Sequence, residues 1–183
     1  ERGGDVLVFV PGAREIERVA ASVRRDFPTE ELSGRLSVAA QQRIVRGHVP
    51  ESTRVIVATN IAESAITVPG VRSVVDAGLD RQARFDSVRG MSGLVTVGAS
   101  KAAMVQRAGR AHREAPGRVI RCMSQADFAS RPAHTPPEIT TSDLTSTVLD
   151  LAVWGTPLGV GLDLPTELPP RATERAVQAL TCL

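Results

Sequence analysis

The sequence predicts an α/β fold in which a mostly parallel sheet carries helices on both faces. Three observations predict it. Short runs of apolar, β-branched residues are continuous rather than alternating, which is the pattern of strands buried on both faces. Segments with apolar residues at helical spacing separate those runs, and Pro, Gly and Ser stand at the joints. A length of 183 residues with 42% hydrophobic content suffices for one full α/β core and the start of a second unit. Strands separated by helices need crossover connections, and these make neighbouring strands parallel.

The first strand is Val6-Leu7-Val8-Phe9-Val10, stopped by Pro11-Gly12. Ile16, Val19, Val23 and Phe27 then recur at helical spacing, with Arg14, Glu15, Glu17, Arg18, Arg24 and Arg25 mostly on the other face, which predicts a helix ending at Pro28. A weaker extended segment lies around Glu31 and Leu32, and Ser37 is placed to cap a helix over residues 38–46. Arg54-Val55-Ile56-Val57-Ala58 and Val71-Arg72-Ser73-Val74-Val75 are two more buried strands. Residues 82–85 and 94–97 are read as a hairpin around the polar, Gly-bearing residues 86–93, a surface β-ribbon with a nucleic-acid contact as the alternative. Ser100 caps a helix over residues 101–108, and residues 117–122 give a further buried strand. Ser142 and Asp143 cap a helix through Trp154; Gly155 ends it, residues 156–170 form a Gly/Pro-rich linker, and Thr173-Glu174 open a last helix. That helix stops in mid-pattern at Leu183, as in a chain cut from a larger protein. The resulting division is residues 1–133 as one α/β domain and residues 134–183 as a helical extension and linker.

Composition narrows the function classes. No apolar run approaches the roughly 20 residues of a membrane span, and Glu1-Arg2-Gly3-Gly4-Asp5 does not resemble a signal peptide, so a cytoplasmic location is expected. Cys122 and Cys182 form no CxxC, and His48, His112 and His134 are scattered. These residues indicate neither a disulfide framework nor a metal site, and both cysteines are expected to be buried thiols. Net charge is +2, and Lys101 is the only lysine among 22 basic residues, a balance compatible with a polyanionic partner without requiring one.

In open parallel sheets ligands sit at the carboxyl ends of strands. After Ala58 comes a passage dense in hydroxyls and amides, from Thr59 and Asn60 through Ser64 to Thr67, which can hold phosphate or ribose oxygens or can simply be a helix-capping loop. After Val75 comes Asp76, a carboxylate at a strand end. The densest chemistry lies in Gln106-Arg107-Ala108-Gly109-Arg110-Ala111-His112-Arg113, with three guanidinium groups and an amide. On a helix capped by Ser100, Gln106 and Arg110 lie four apart on one face, and Arg113 follows a turn later. A guanidinium fork holds phosphate oxygens bidentately, and a glutamine amide can orient a water for in-line attack on phosphorus. The plain alternative is a surface helix with solvated arginines. No GxxxxGK[ST] phosphate loop and no acidic Mg²⁺-binding tetrad is present, so the chain carries parts that complete a nucleotide site rather than grip the β-phosphate.

Motif for motif, these residues resemble the second RecA-like domain of a DEAH-box superfamily 2 RNA helicase, in particular the bacterial HrpB-type branch. Residues 6–12 look like motif IV, Leu36 with Gln41 like the LxxxxQ helix, and residues 58–67 like the ATNIAETSLT of motif V. Residues 74–81 look like the VVDxG strand end, Arg84-Phe85-Asp86 like the entry to the family's β-hairpin, and residues 100–113 like the SKAxAxQRAGRAGR of motif VI. Pro137-Glu138-Ile139, Ser142-Asp143-Leu144 and Trp154-Gly155 resemble the passage out of this domain, and residues 162–170 the approach to a winged helix.

The resemblance implies a three-layer RecA-like domain. It implies that Gln106 orients the attacking water and that Arg110 and Arg113 reach the γ-phosphate as arginine fingers. Thr67 is implied to lie near the nucleotide sugar, with Asp76 and Arg107 as further nucleotide-binding residues, and Thr59 and Asn60 on the backbone of single-stranded RNA. ATP and Mg²⁺ are implied to be held mainly by a first RecA-like domain in cis, without which this chain is inactive, and a winged-helix region is the implied C-terminal neighbour. Two readings stay open beside it: a non-catalytic RNA-binding or partner-docking module, and a DNA helicase. Departures from the pattern also carry expectations. His112 replaces the second Gly of motif VI and is expected to strain or shift the backbone before Arg113 if that position needs φ > 0. Val45 stands where eukaryotic relatives have a base-stacking aromatic, and Pro69 where relatives have an acidic residue near the ribose, which implies weak discrimination among NTPs. Ser64-Ala65 stands in place of Thr-Ser in motif V.

Overall fold

The computed structural model describes residues 4–49, 52–86 and 88–182. Glu1, Arg2 and Gly3 of the N-terminal stretch, Ser87 of the hairpin loop and Leu183 at the end of the last helix lie outside them. In chain order the elements are β1 (Asp5–Phe9), α1 (Ala13–Val23), β2 (Thr29–Leu32), α2 (Val38–Arg46) and β3 (Val55–Ala58). A 3-10 turn at Asn60–Ala62 leads to β4 (Val71–Asp76), β5 (Leu79–Asp86), β6 (Met91–Gly98) and α3 (Lys101–Ala108). A second 3-10 turn, Gly109–His112, precedes β7 (Arg118–Arg121), α4 (Gln125–Ser130), α5 (Thr145–Trp154) and α6 (Pro170–Thr181).

Five strands form one parallel sheet in the order β2-β3-β1-β4-β7, and β5 pairs with β6 in a separate ribbon. Leu7 registers with Ile56 on one side and Val74 on the other, which puts β1 at the centre. The continuous apolar runs have the physical cause expected of them. Leu7, Phe9, Ile56, Ala58 and Val74 pack with Ile44 of α2, Ala62 and Ala111, while Val55 and Val57 pack with Ile16 and Ala20 of α1. The central strands β1 and β3 therefore alternate between two apolar layers, which is why their runs are continuous.

The chain divides into two compact units. The described parts of Glu1–Arg81 and Thr96–Thr135 form one, and those of Gln82–Val95 and Pro136–Leu183 the other. The second unit has its own small core of Leu144 and Val148 on α5 against Ala176 on α6, joined by Ile139, Leu168, Ala172 and Leu180. Within it the Phe85 N–H donates to the Thr141 carbonyl at 2.9 Å, and the Arg175 guanidinium lies 5.3 Å from the centre of the Phe85 ring.

Several expectations need correction. Helix α1 ends at Val23, four residues before Phe27, whose side chain is 49% exposed. Residues 24–27 turn back onto the Val23 carbonyl, and Pro28 pushes the residue before it out of the helical region. Strand β7 is an edge strand with Val119 and Ile120 exposed, not a buried one, because among the described residues it pairs with β4 alone. The hairpin strands are longer than their apolar residues indicate, since cross-strand pairing extends through the polar positions. Helix α6 starts at Pro170, where a proline fits the first turn, rather than at Thr173. Cys122 and Cys182 are both exposed, the first just past the edge strand and the second just past α6.

Candidate functional site

Strands β3 and β4 deliver the site at their carboxyl ends. Beyond Ala58 the chain folds into the Asn60–Ala62 turn, closed by Ala62 N–H to the Thr59 carbonyl at 3.3 Å and Glu63 N–H to the Asn60 carbonyl at 2.9 Å. Ala62, the last residue of this turn, is fully buried, while Asn60 is exposed and Thr59 half-buried. Beyond β4, Asp76 ends the strand and accepts the Gly78 N–H on Oδ1 at 2.8 Å; Gly78 has φ +66°, which its lack of a Cβ permits.

Ser100 caps α3 as expected, its hydroxyl accepting the Ala103 N–H at 3.2 Å and the Thr135 hydroxyl at 3.1 Å. From α3 onward, residues 107–114 lie alongside residues 63–70 in a ladder of side-chain bonds. Arg107 Nε donates to Glu63 Oε2 at 2.9 Å, and its Nη1 donates to Asp76 Oδ1 at 3.1 Å and to the Leu79 carbonyl at 3.0 Å. Arg110 donates from Nη1 to the Ile66 carbonyl at 3.3 Å and from Nη2 to the Glu63 carbonyl. Arg113 Nη1 donates to Thr67 Oγ1 at 2.7 Å, and the Gly70 N–H donates to Glu114 Oε2 at 3.3 Å.

The three arginines have different environments. Arg107 is 2% exposed, with Asp80 Oδ1 3.7 Å from its Nη2 and the Phe9 ring centre 5.4 Å away. Burial pulls its pKa down, but the charges of Asp76 and Glu63 and their hydrogen bonds outweigh burial and leave it raised, so it is a permanent cation. Arg110 is 8% exposed, and burial together with the nearby Arg113 charge lowers its pKa against the opposing pull of Glu63. Arg113 and Gln106 are exposed. Arg107 and Asp76, expected to touch a nucleotide, are thus placed below the surface with their polar groups turned on each other.

His112 brings no backbone strain. It lies in the Gly109–His112 turn, Arg113 follows at φ −66° and ψ −35°, and among the described non-glycine residues only Leu158 has positive φ. The close approach that shapes this turn is made elsewhere. A Cβ on Gly117 would overlap the Ala111 carbonyl and lie 2.8 Å from the Arg72 carbonyl, so only glycine lets the start of β7 pass beneath the turn.

Beside Thr67 lies a cleft of about 340 Å³ between α2 and residues 65–67, lined by Val38, Gln42, Val45 and Arg46 on one wall and Ile66 and Thr67 on the other. Its size and its mixture of aliphatic and amide groups fit part of a small polar ligand such as a base with its sugar. The expected residues Thr67, Asp76, Arg107, Arg110 and Arg113 are therefore joined in one bonded network, while Gln106 and Asn60 are exposed and Thr59 half-buried beside it. Sequence reading passes over Glu63, Asp80 and Glu114, the acids of this network besides Asp76. The available signal was that Glu63 is the only acid among the hydroxyls and amides of its loop.

Residues 1–115 match the model of the helicase conserved C-terminal domain. The chain is similar to the ATP-dependent RNA helicase HrpB of Escherichia coli (strain K12), with 36% identity over an alignment that spans 100% of this chain and 24% of that protein. It is similar as well to the pre-mRNA-splicing factor ATP-dependent RNA helicase DEAH10 of Arabidopsis thaliana, at 36% identity over 89% of this chain and 24% of the relative. A crystal structure of the E. coli DEAH/RHA helicase HrpB superposes with a TM-score of 0.89 at 34% identity, covering 100% of this chain and 24% of that one. The chain thus spans about a quarter of the length of these relatives.

Proposed function

We propose, from the premise that the chain belongs to the helicase conserved C-terminal domain family, that it is the second RecA-like half of an ATP-dependent, DEAH-box RNA helicase of the HrpB type. The observation that carries this reading is the ladder between residues 63–70 and 107–114, which gathers Arg110, Arg113 and Thr67 at the carboxyl end of the sheet beside a cleft of nucleoside size. Phosphoryl transfer needs little covalent help from a protein and much positioning and charge. Arg113, exposed and held by a single hydroxyl, is the finger that leaves its resting partner at least cost. Arg110 exchanges two carbonyl oxygens for phosphate oxygens, and Gln106 orients the attacking water.

Arg107 and Asp76 act beneath these groups, holding α3 to the end of β4. The cleft beside Thr67 receives the base and sugar, and Val45 on its wall has no aromatic face on which a base could stack, so ATP, GTP, CTP and UTP are hydrolysed at similar rates. When bound, ATP with Mg²⁺ supplies the reacting phosphoryl group; the residues that grip its phosphates and metal belong to a first RecA-like domain in cis. Thr59 and Asn60 hold the phosphate backbone of single-stranded RNA, which makes binding independent of sequence and weaker in salt. A winged-helix region in cis is the further partner.

The test uses the full-length protein. Arg113→Ala and Arg110→Ala are each expected to lower RNA-stimulated ATP hydrolysis by about 10³-fold or more, the scale of a lost arginine finger. Hydrolysis unchanged in both variants would remove them from the reaction, and a wild type without NTP hydrolysis would leave an RNA-binding module in place of an enzyme. Stimulation by single-stranded DNA equal to that by RNA would remove the RNA assignment.

A further inference from the structure

Glu63 joins two segments that the proposed reaction needs to move together. Its backbone N–H closes the turn that carries Thr59 and Asn60, donating to the Asn60 carbonyl at 2.9 Å. Its own carbonyl, three atoms along the chain, accepts a bond from Arg110 Nη2. Its side chain is 18% exposed and accepts from Arg107 Nε at 2.9 Å, while Arg107 is fixed to the sheet through Asp76 and the Leu79 carbonyl. One residue therefore touches the outward-facing turn, the Arg110 guanidinium and the buried base of α3. The Glu63 carbonyl that Arg110 rests on thus moves with the turn, and the charge-assisted bond to Arg107 ties that turn to α3.

We propose that Glu63 is a positioning residue through which single-stranded RNA at Thr59 and Asn60 sets the placement of Arg110 for hydrolysis. The proposal rests on the reading of those residues given above. Glu63 itself touches neither RNA nor nucleotide. Its carboxylate supplies the strength of the link, because Gln keeps an acceptor oxygen in the same place but removes the negative charge that pairs with the Arg107 guanidinium. Removing it leaves Arg107 with Asp76 and Asp80, so the buried cation keeps two carboxylates and the fold is retained.

In the full-length protein, wild type, Glu63→Gln and Glu63→Ala are compared for ATP hydrolysis with and without a single-stranded RNA oligonucleotide, for KM, for RNA affinity by fluorescence anisotropy and for thermal unfolding. In Glu63→Ala the ratio of RNA-stimulated to basal kcat is expected to fall about tenfold, with KM and RNA affinity within about twofold of wild type and Glu63→Gln in between. A ratio equal to wild type in both variants overturns the proposal. So does an equal loss of basal and stimulated rates together with a lowered melting temperature, which is the signature of a merely structural role. A wild type that hydrolyses nothing overturns the helicase reading instead, so the two failures are distinguishable.

Discussion

A methyl group on Gly117 would meet main chain on two sides, the Ala111 carbonyl above and the Arg72 carbonyl below. Neither is the far end of a flexible side chain, so relief requires moving the Gly109–His112 turn or the start of β7. Overpacking of this kind costs about 1–3 kcal/mol, and Gly117→Ala is expected to lower the urea midpoint accordingly at an unchanged m-value. Because that turn presents Arg110 and Arg113, hydrolysis by the full-length protein falls as well. A variant of wild-type stability would mean that the turn has room to yield. The same scale explains why the burial of Arg107 is not legible in the sequence. In sequence it is one of three arginines in eight residues, and the pattern gives no way of telling which of them lies inside. Its place follows from α3: counted from the Ser100 cap, Ala103, Met104 and Arg107 share the inward face, and Arg107 finds three carboxylates there. A buried arginine is tolerable only with such partners, and of the three Asp80 carried no signal of its own, while Glu63 stood out only as the one acid of its loop.

Among elements, helix starts show how local chemistry sets boundaries. Asp143 accepts the Thr145 hydroxyl at 2.7 Å and the Thr145 N–H at 2.9 Å, fastening the first turn of α5. These bonds, the hydroxyl first, hold its carboxyl below the usual carboxylate range, with the Arg175 charge adding to the effect. A depressed folded-state pKa means that the unfolded chain takes up the proton first, so the contribution is complete above the ordinary Asp value of about 3.9 and is lost as pH falls through the lower folded value. Amide protection at the start of α5 is therefore expected to weaken as pH is lowered from about 5 to about 3, modestly because the pair is solvent-screened. Asp143→Asn is expected to remove that pH dependence; its persistence would place the titration on another group. Ser37 and Ser100 were legible as caps because each is a short polar side chain directly before apolar periodicity; at α5 the cap position is Leu144, and Asp143, one residue earlier than a cap, bonds Thr145 from there. The Ser124 capping box with Asp127 was equally present in the sequence, but the helix it opens, α4, has no buried residue and so no periodic face to draw attention to it. The strands were readable because both faces of the sheet are covered. Where coverage fails, at β7, the apolar letters were read correctly as a strand and wrongly as a buried one.

For the whole molecule, the distribution of bonds decides what this chain does by itself. Arg110 and Arg113 are already engaged with Glu63, Ile66 and Thr67, and the sequence offers no phosphate loop or acidic tetrad to draw them away. A guanidinium leaves a carbonyl or hydroxyl oxygen for a phosphate because the anion adds charge pairing and accepts its fork bidentately, and that exchange needs the phosphate to be brought within reach. The prediction is that residues 1–183 alone turn over no ATP above background, whereas the full-length protein does, and that single-stranded RNA accelerates only the latter. RNA affinity of the full-length protein should also fall with a linear dependence on the logarithm of salt concentration, since phosphate contacts dominate it. Replacing Asn60 by Ala should then weaken RNA of every sequence alike and leave KM for ATP unchanged, measured by anisotropy and steady-state hydrolysis. Hydrolysis by the isolated chain would overturn this assignment, because the arginines would then be completing a site whose phosphate grip lies among these same residues.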